Sequence, residues 1–177
     1  ISSDEYLEAL NLKKNIGTVQ SEESVPVVGI LISLTDSNDR EIFSAREVLE
    51  GIRYAFHIYN SNNTDKIGLL VKDIKRDKTL TTQFASEFVE NDNIRCILGP
   101  IFSDDVRIAL KEIDKSNICL ISPTATDDNL IQLSENFFQA NPSLTSRGKV
   151  FAQYLYYVEN RRKLAVLNSI DGYSPLL

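Results

Sequence analysis

Hydroxyl side chains follow two apolar runs of the chain, where each run is broken by glycine or proline. Ser103 comes shortly after the run 94–98. Thr124 and Thr126 come after the run 118–122. Short apolar runs of this kind are typical of buried parallel strands, and open α/β sheets bind ligands at the carboxyl ends of such strands. Because a hydroxyl both donates and accepts hydrogen bonds, the spacing predicts a cleft for a small polar molecule lined by these three side chains.

The residues that could do acid–base or metal chemistry are poorly arranged for it. The chain has no GxGxxG pattern, no P-loop lysine and no GxSxG elbow. Asp104 and Asp105 are adjacent and would diverge on a helix, so they make a poor acid–base pair. His57 stands between Phe56 and Ile58, which favours a structural role over metal ligation. The sequence therefore favours a binding protein over an enzyme, with no metal and no cofactor.

Composition narrows the class of protein further. The chain has 177 residues, 42% of them hydrophobic, which is enough for a packed core. Its formal net charge of -6 gives no basic footprint for nucleic acid. No apolar run reaches the length that a membrane span needs.

The two cysteines, Cys96 and Cys119, each lie within a predicted strand. The main interpretation is that they are buried free thiols that pack as small hydrophobic side chains. If their strands are neighbours in the sheet, a disulfide between them is geometrically allowed.

Strand and helix patterns alternate along the chain. Strands are predicted at 27–33, 67–74, 94–98, 118–122 and 137–139, with a sixth at 163–168. Helices are predicted at 44–60, from Thr79 or Thr81 to about Val89, at 103–115 and at 143–159. This order predicts an α/β fold with a doubly wound, mostly parallel sheet covered on both faces.

Helical spacing of the apolar residues predicts which helix faces are buried. In the helix 44–60 the predicted buried face comprises Ala45, Val48, Leu49, Ile52, Ala55, Phe56 and Tyr59. Gly51 costs this helix roughly 1 kcal/mol in propensity, which suggests close packing there. The helix that ends near Val89 is predicted to turn Phe84, Phe88 and Val89 inward. The helix 103–115 is predicted to turn Val106, Ala109, Leu110 and Ile113 inward. The helix 143–159 has Val150, Phe151, Tyr154, Leu155 and Val158 on one side.

The N-terminal segment 1–24 is predicted to be a short helix, Ser3 to Lys14, followed by a polar linker. Ser3 suits the cap position, and Lys13 and Lys14 suit the negative end of the helix dipole. The segment is interpreted either as the tail of an upstream helical domain or as a frayed terminus.

An ordered set of short motifs resembles one known family. The set comprises Val28-Gly29-Ile30-Leu31, Gly51 with Tyr54-Ala55, Ile97-Leu98-Gly99-Pro100, Ile121-Ser122-Pro123-Thr124-Ala125-Thr126, Phe138-Gln139-Ala140-Asn141-Pro142-Ser143, Gly148, Leu164-Ala165-Val166-Leu167 and Tyr173. From about Val27 to Tyr173 the chain resembles the first lobe of type I periplasmic binding proteins, in the branched-chain amino-acid receptor (Leu/Ile/Val-binding protein) family.

The resemblance implies a function and a set of site residues. In that family two α/β lobes close on a ligand, and members that bind amino acids hold its carboxylate and ammonium with residues that match Ser103, Thr124, Ala125, Thr126 and Tyr173. It implies an extracytoplasmic receptor in the periplasm or cell envelope. The receptor would capture a small polar solute, with an amino acid as one candidate, and pass it to a membrane permease or sensor.

The resemblance also leaves an alternative and sets the expected domains. The alternative is a regulatory module of the envelope, similar to the lipoprotein activators of peptidoglycan synthases, which join helical repeats to such a lobe. The expected domains are 1–24 as helix and linker, 25–162 as the first lobe, and 163–177 as the start of a truncated second lobe. The apolar segment 163–168 is expected to be covered by that lobe or by self-association.

Overall fold

A computed structural model describes residues 25–114 and 116–165, which form a five-stranded sheet. The strands are β1 (Val27–Ile32), β2 (Gly68–Asp73), β3 (Ile94–Leu98), β4 (Cys119–Ser122) and β5 (Phe137–Gln139). They lie in the order β2-β1-β3-β4-β5, and every neighbouring pair is parallel. The predicted α/β fold with a parallel sheet is therefore confirmed.

Helices connect the strands. They are α1 (Phe43–Asn62), α2 (Lys78–Val89), α3 (Ser103–Ile113) and α4 (Leu144–Gln153), with a 3₁₀ turn at Leu130–Gln132 before β5. One π-helical turn, Tyr154–Val158, extends α4. Within the described residues, none of these helices combines the length and hydropathy that crossing a bilayer would need.

The sheet has one hydrophobic cluster on each face. On the first face, strand residues such as Leu31, Ile97 and Leu120 pack with α2 and α3. On the second face, residues such as Ile30 pack with Ala45 of α1. The four inward positions predicted for α3 are all buried. Helices therefore lie on both faces, as the alternating pattern predicted.

The wide buried face predicted for α1 is wrong in its second half. Ala45 and Leu49 are buried, but Ala55 and Tyr59 are exposed. Only the first half of the helix reaches the sheet closely enough to exclude water. A side chain at Gly51 would meet nothing within 4 Å, so the close packing predicted there is also wrong.

The start of α2 differs from its prediction. The cap is Asp77, whose carboxylate accepts a hydrogen bond from the Leu80 N–H at 2.9 Å. Thr81 lies inside the helix, and its hydroxyl donates to the Asp77 carbonyl at 2.7 Å. Aspartate is as good an N-cap as threonine or better, so the helix begins before either predicted threonine. Phe88 is 1% exposed, in agreement with its predicted orientation.

The last helix leaves the body of the lobe. Ser143 caps α4, and Leu144 anchors it in the core. The side chains predicted to share one side of this helix do not face the core: Val150, Phe151, Tyr154 and Val158 are all exposed. The predicted sixth strand has no counterpart at 163–165, which lack regular secondary structure. Its remainder, 166–168, and the predicted helix Ser3 to Lys14 lie outside the described residues.

Candidate functional site

A tight turn joins β3 to α3 at the carboxyl edge of the sheet. Gly99 has a φ of +87° and follows β3, and the Gly99–Pro100 peptide bond is cis. A side chain at Gly99 would overlap the carbonyl oxygen of Leu31, so both conformation and space require glycine here. The Gly99 N–H donates to the Ile121 carbonyl at 2.8 Å. The ends of β1, β3 and β4 are therefore held close together at this edge.

Ser103 connects the loops that follow β3 and β4. It is the first residue of α3, after the N-cap residue Phe102. Its hydroxyl oxygen accepts hydrogen bonds from the Thr126 N–H at 3.2 Å and the Asp127 N–H at 3.3 Å. Although 23 residues separate them in sequence, Ser103 and Thr126 lie side by side. The donor capacity of the Ser103 hydroxyl is still available for a further group.

Thr124 and Ala125 stabilise the loops of the site. The Thr124 hydroxyl donates to the Ile101 carbonyl at 2.6 Å, which fixes one loop against the other. Ala125 is fully buried, and its N–H donates to the Ser122 hydroxyl at 3.2 Å. In contrast, the half-buried Thr126 has no hydrogen-bond partner for its hydroxyl within the described part of the chain. Tyr173, predicted for the same site, lies outside the described residues.

A partly buried ion pair beside Ser103 was missed by the sequence analysis. Asp105 is 3% exposed, and its carboxylate accepts hydrogen bonds from Arg76 Nη1 at 2.6 Å and from the Ser33 hydroxyl at 3.2 Å. The backbone N–H of Arg76 in turn donates to the Ser33 hydroxyl at 3.2 Å. The Arg76 guanidinium also stacks on the Phe102 ring, 4.2 Å from its centroid. This network ties together the chain segments that follow β1, β2 and β3.

The signal for this pair is visible in the sequence in hindsight. Asp105, Ala109 and Ile113 recur every four residues, so Asp105 belongs to the inward stripe of α3 although it carries a charge. Burial raises the pKa of the Asp105 carboxyl, while the hydrogen bond and charge of Arg76 act to lower it. The positive charge of Arg76 thus balances the negative charge of Asp105 beside the loops that carry Ser103 and Thr126.

The same edge has a shallow hollow of about 300 Å³ between the loops that follow β4 and β5. Its polar lining residues are Asp128, Gln139, Asn141, Ser143 and Ser146. Ser103 and Thr126 do not line it, although the Thr126 carbonyl accepts a hydrogen bond from the Leu144 N–H at 3.1 Å beside it. Across the described residues, no cluster of three or more histidine, cysteine, aspartate or glutamate side chains could hold a metal ion.

This chain is similar to known proteins over part of their length. The family model for periplasmic binding proteins matches residues 27–174. Among curated proteins, the chain is similar to Glutamate receptor 2.8 of Arabidopsis thaliana, with 23% identity over 133 residues. That alignment covers 75% of this chain and 14% of the receptor, so the chain spans a small part of its curated relative.

Solved structures show the same fold. The branched-chain amino acid transporter substrate-binding protein LivJ of Streptococcus pneumoniae, in complex with isoleucine, gives a TM-score of 0.65 at 20% identity, covering 77% of this chain and 39% of LivJ. A solute-binding protein of an ABC transporter from Rhodopseudomonas palustris, in complex with 3,4-dihydroxybenzoic acid, gives a TM-score of 0.69 at 18% identity. The match covers 87% of this chain and 41% of that protein. In both cases the chain spans about two fifths of the solved protein.

Proposed function

Because the chain belongs to the periplasmic binding protein family, we propose that it is the first lobe of an extracytoplasmic receptor that captures a small polar solute. The lobe would supply the fixed half of the binding cleft. A second lobe, beginning near residue 163, would close on the ligand and contribute Tyr173. Residues 1–24 would precede the lobe as helix and linker.

One observation carries this proposal: the hydroxyl of Ser103 joins the start of α3 to the backbone of the Thr126 loop. These hydrogen bonds join two loops that are distant in sequence into one wall of the proposed cleft. The wall retains the Ser103 O–H and the Thr126 hydroxyl for a ligand, at the edge where open parallel sheets bind small molecules.

The chemistry of this wall favours an anionic group such as a carboxylate. The wall lies at the N-terminus of the 11-residue helix α3, whose dipole attracts negative charge. Isoleucine and 3,4-dihydroxybenzoic acid, the ligands of the two solved proteins, both carry a carboxylate. We therefore propose amino acids and small aromatic acids as the ligand classes, delivered to a membrane permease or sensor.

A second function is favoured by the apolar surface of α4. Val150, Phe151 and Val158 are each at least 63% exposed, which is more than a monomeric lobe usually leaves in water. This surface suits a regulatory module that contacts another protein of the envelope. It also suits self-association of the chain itself.

A ligand screen on the full-length protein distinguishes the two functions. Ligands that bind the native state raise the melting temperature by mass action, equivalent to about 2.7 kcal/mol at a concentration one hundred times Kd. The receptor proposal expects a rise with one or more amino acids or hydroxybenzoic acids. No rise with any amino acid, aromatic acid, short peptide or sugar would reject it and favour the interaction module.

Two substitutions test the site once a ligand is found. Losing a hydrogen bond to a charged ligand group costs about 1.5–3 kcal/mol, so Ser103→Ala and Thr126→Ala should each weaken binding roughly 10- to 150-fold by calorimetry. Matched controls are Ser61→Ala at the exposed end of α1 and Thr82→Ala on α2, because each hydroxyl donates only to a carbonyl of its own helix. Unchanged affinity in both site variants would remove these hydroxyls from the site even if the receptor function stands.

A further inference from the structure

Two cysteine thiols face each other across neighbouring strands of the sheet. Cys96 of β3 and Cys119 of β4 are direct register partners, and both are free. Paired parallel strands lie about 4.8 Å apart. That spacing falls within the roughly 4.4–6.8 Å between Cα atoms that disulfide bonds span.

The thiols also point to the same side of the sheet. The next register pair, Ile97 and Leu120, is fully buried on the first face, and side chains alternate along a strand. Cys96 and Cys119 therefore both project from the second face. Burial, and next to it the neighbouring Cys119 thiol, raise the pKa of the Cys96 thiol to about 12.

The second face is open near this pair. The helix that packs on this face is α1, and the cluster that it forms draws its strand residues from β1, β2 and the end of β3. Both cysteines are partly buried and not fully buried as predicted, and Phe138 of β5, on the same face, is 56% exposed. A small thiol reagent can therefore approach the pair in the folded protein.

We propose that Cys96 and Cys119 are a modification site at which a disulfide-bearing oxidant forms an intramolecular disulfide between β3 and β4. The Cys119 thiol loses its proton, attacks one sulfur of the oxidant and expels a thiolate, leaving a mixed disulfide. The Cys96 thiol then loses its proton and attacks the Cys119 sulfur, expelling the second thiolate. The two cysteines lose two electrons and two protons, and the oxidant becomes two thiols.

The cross-link joins the strands that carry the candidate site. The carboxyl end of β3 leads to Ser103, and that of β4 leads to Thr126. A disulfide between β3 and β4 fixes the spacing of the two loops covalently. Such bonds persist in oxidising compartments outside the cytoplasm. This inference depends on the register, the shared face and the accessibility of the two cysteines, and it stands whether or not the lobe binds a solute.

The test is exposure of the folded, full-length protein to excess oxidised glutathione. After incubation, the reaction is quenched with acid, the protein is denatured and its remaining thiols are alkylated. The mass of the intact protein is then measured. We expect a product that has lost two hydrogen atoms, takes up no alkylating reagent at these two positions and runs as a monomer on a non-reducing gel. Peptide mapping should find Cys96 joined to Cys119. Because the closed loop restricts the unfolded chain, the melting temperature should rise by about 5–10 °C and return after reduction.

Single-cysteine variants are the matched controls. Cys96→Ser and Cys119→Ser lack the second thiol, so each should stop at a glutathione adduct and show no rise in melting temperature. The proposal is overturned if the wild-type protein keeps two alkylatable thiols after prolonged exposure, while the same chain unfolded in denaturant closes its disulfide. Stable glutathione adducts on the wild-type protein, or a covalent dimer, would overturn it equally.

Discussion

The ion pair of Asp105 and Arg76 places a charge where the helix pattern leaves room only for an apolar side chain. The Asp105 side chain is 5% exposed and that of Arg76 is 32% exposed, so water screens the pair from one side only. Removing one partner of such a pair leaves the other buried without compensation, which costs more than the pair itself contributes.

We predict that Arg76→Ala lowers the free energy of unfolding by about 2–4 kcal/mol near pH 8, somewhat less than for a fully buried pair because solvent screens Arg76. The pKa of Asp105 is already raised by burial, and losing Arg76 raises it further. A carboxyl whose pKa is higher in the folded state contributes its full stabilisation below the unfolded pKa and loses it as the pH rises through the folded pKa. The loss should therefore be smaller near pH 5, by urea denaturation at both values.

Two further variants control this measurement. Asp105→Asn in the Arg76→Ala background removes the unpaired charge and should recover part of the stability near pH 8. Arg40→Ala breaks an exposed ion pair with Asp36 and should change stability by about 1 kcal/mol or less at either pH. Equal losses for Arg76→Ala at both pH values would show that its charge does not neutralise Asp105.

The packing of β1 against α2 depends on one residue without a side chain. A Cβ at Gly29 would lie 2.6 Å from two atoms of the Phe88 ring, which real Cβ contacts do not reach. Phe88 is among the largest fully buried side chains of the lobe, so its ring has little space to move.

We therefore predict that Gly29→Ala destabilises the lobe by about 1–3 kcal/mol through overpacking. The matched control is Gly51→Ala on α1, where a side chain meets nothing within 4 Å. There, alanine should stabilise the protein by up to about 1 kcal/mol, because it is the better helix former. Thermal and urea denaturation of both variants check the pair, and a neutral Gly29→Ala would mean that β1 and α2 are less tightly packed than the structure has them.

At the level of the assembled lobe, two apolar surfaces lack partners among the described residues. One lies on α4 and its π-helical extension, and Phe151 and Tyr157 are its most prominent aromatic residues, 63% and 77% exposed. The other lies on the second face of the sheet around Phe138, which is 56% exposed. Because one chain carries both surfaces, α4 of one copy can pack on the sheet of another.

We predict that residues 1–177 self-associate, and that Phe151→Glu shifts them toward monomers. Light scattering across a concentration series should show a molar mass above that of one chain, falling with dilution. The control Val25→Glu alters an exposed apolar residue at the opposite, amino-terminal edge of the sheet and should leave the mass unchanged. A monomer at every concentration would contradict the prediction.

Much of the fold could be predicted because it follows from local pattern. Apolar runs of strand length and helical spacing of apolar residues are properties of neighbouring residues. They located β3 and β5 with their observed bounds and identified the inward residues of α3. Alternation of the two patterns then limits the sheet to a parallel one, because each helix must return the chain to the same end of the sheet.

Some features of the candidate site follow from the sequence, and others follow only from the tertiary structure. The sequence by itself determined that hydroxyl residues follow β3 and β4, at one edge of a parallel sheet. Only the tertiary structure decided that the Ser103 hydroxyl bonds the Thr126 backbone, that Thr124 is used to hold a loop, and that Asp105 pairs with Arg76. It also decided that the apolar side of α4 stays exposed. These outcomes depend on which distant residues meet in space. Helical spacing can place Asp105 on the inward side of α3, but it does not say which residue of another segment Asp105 meets.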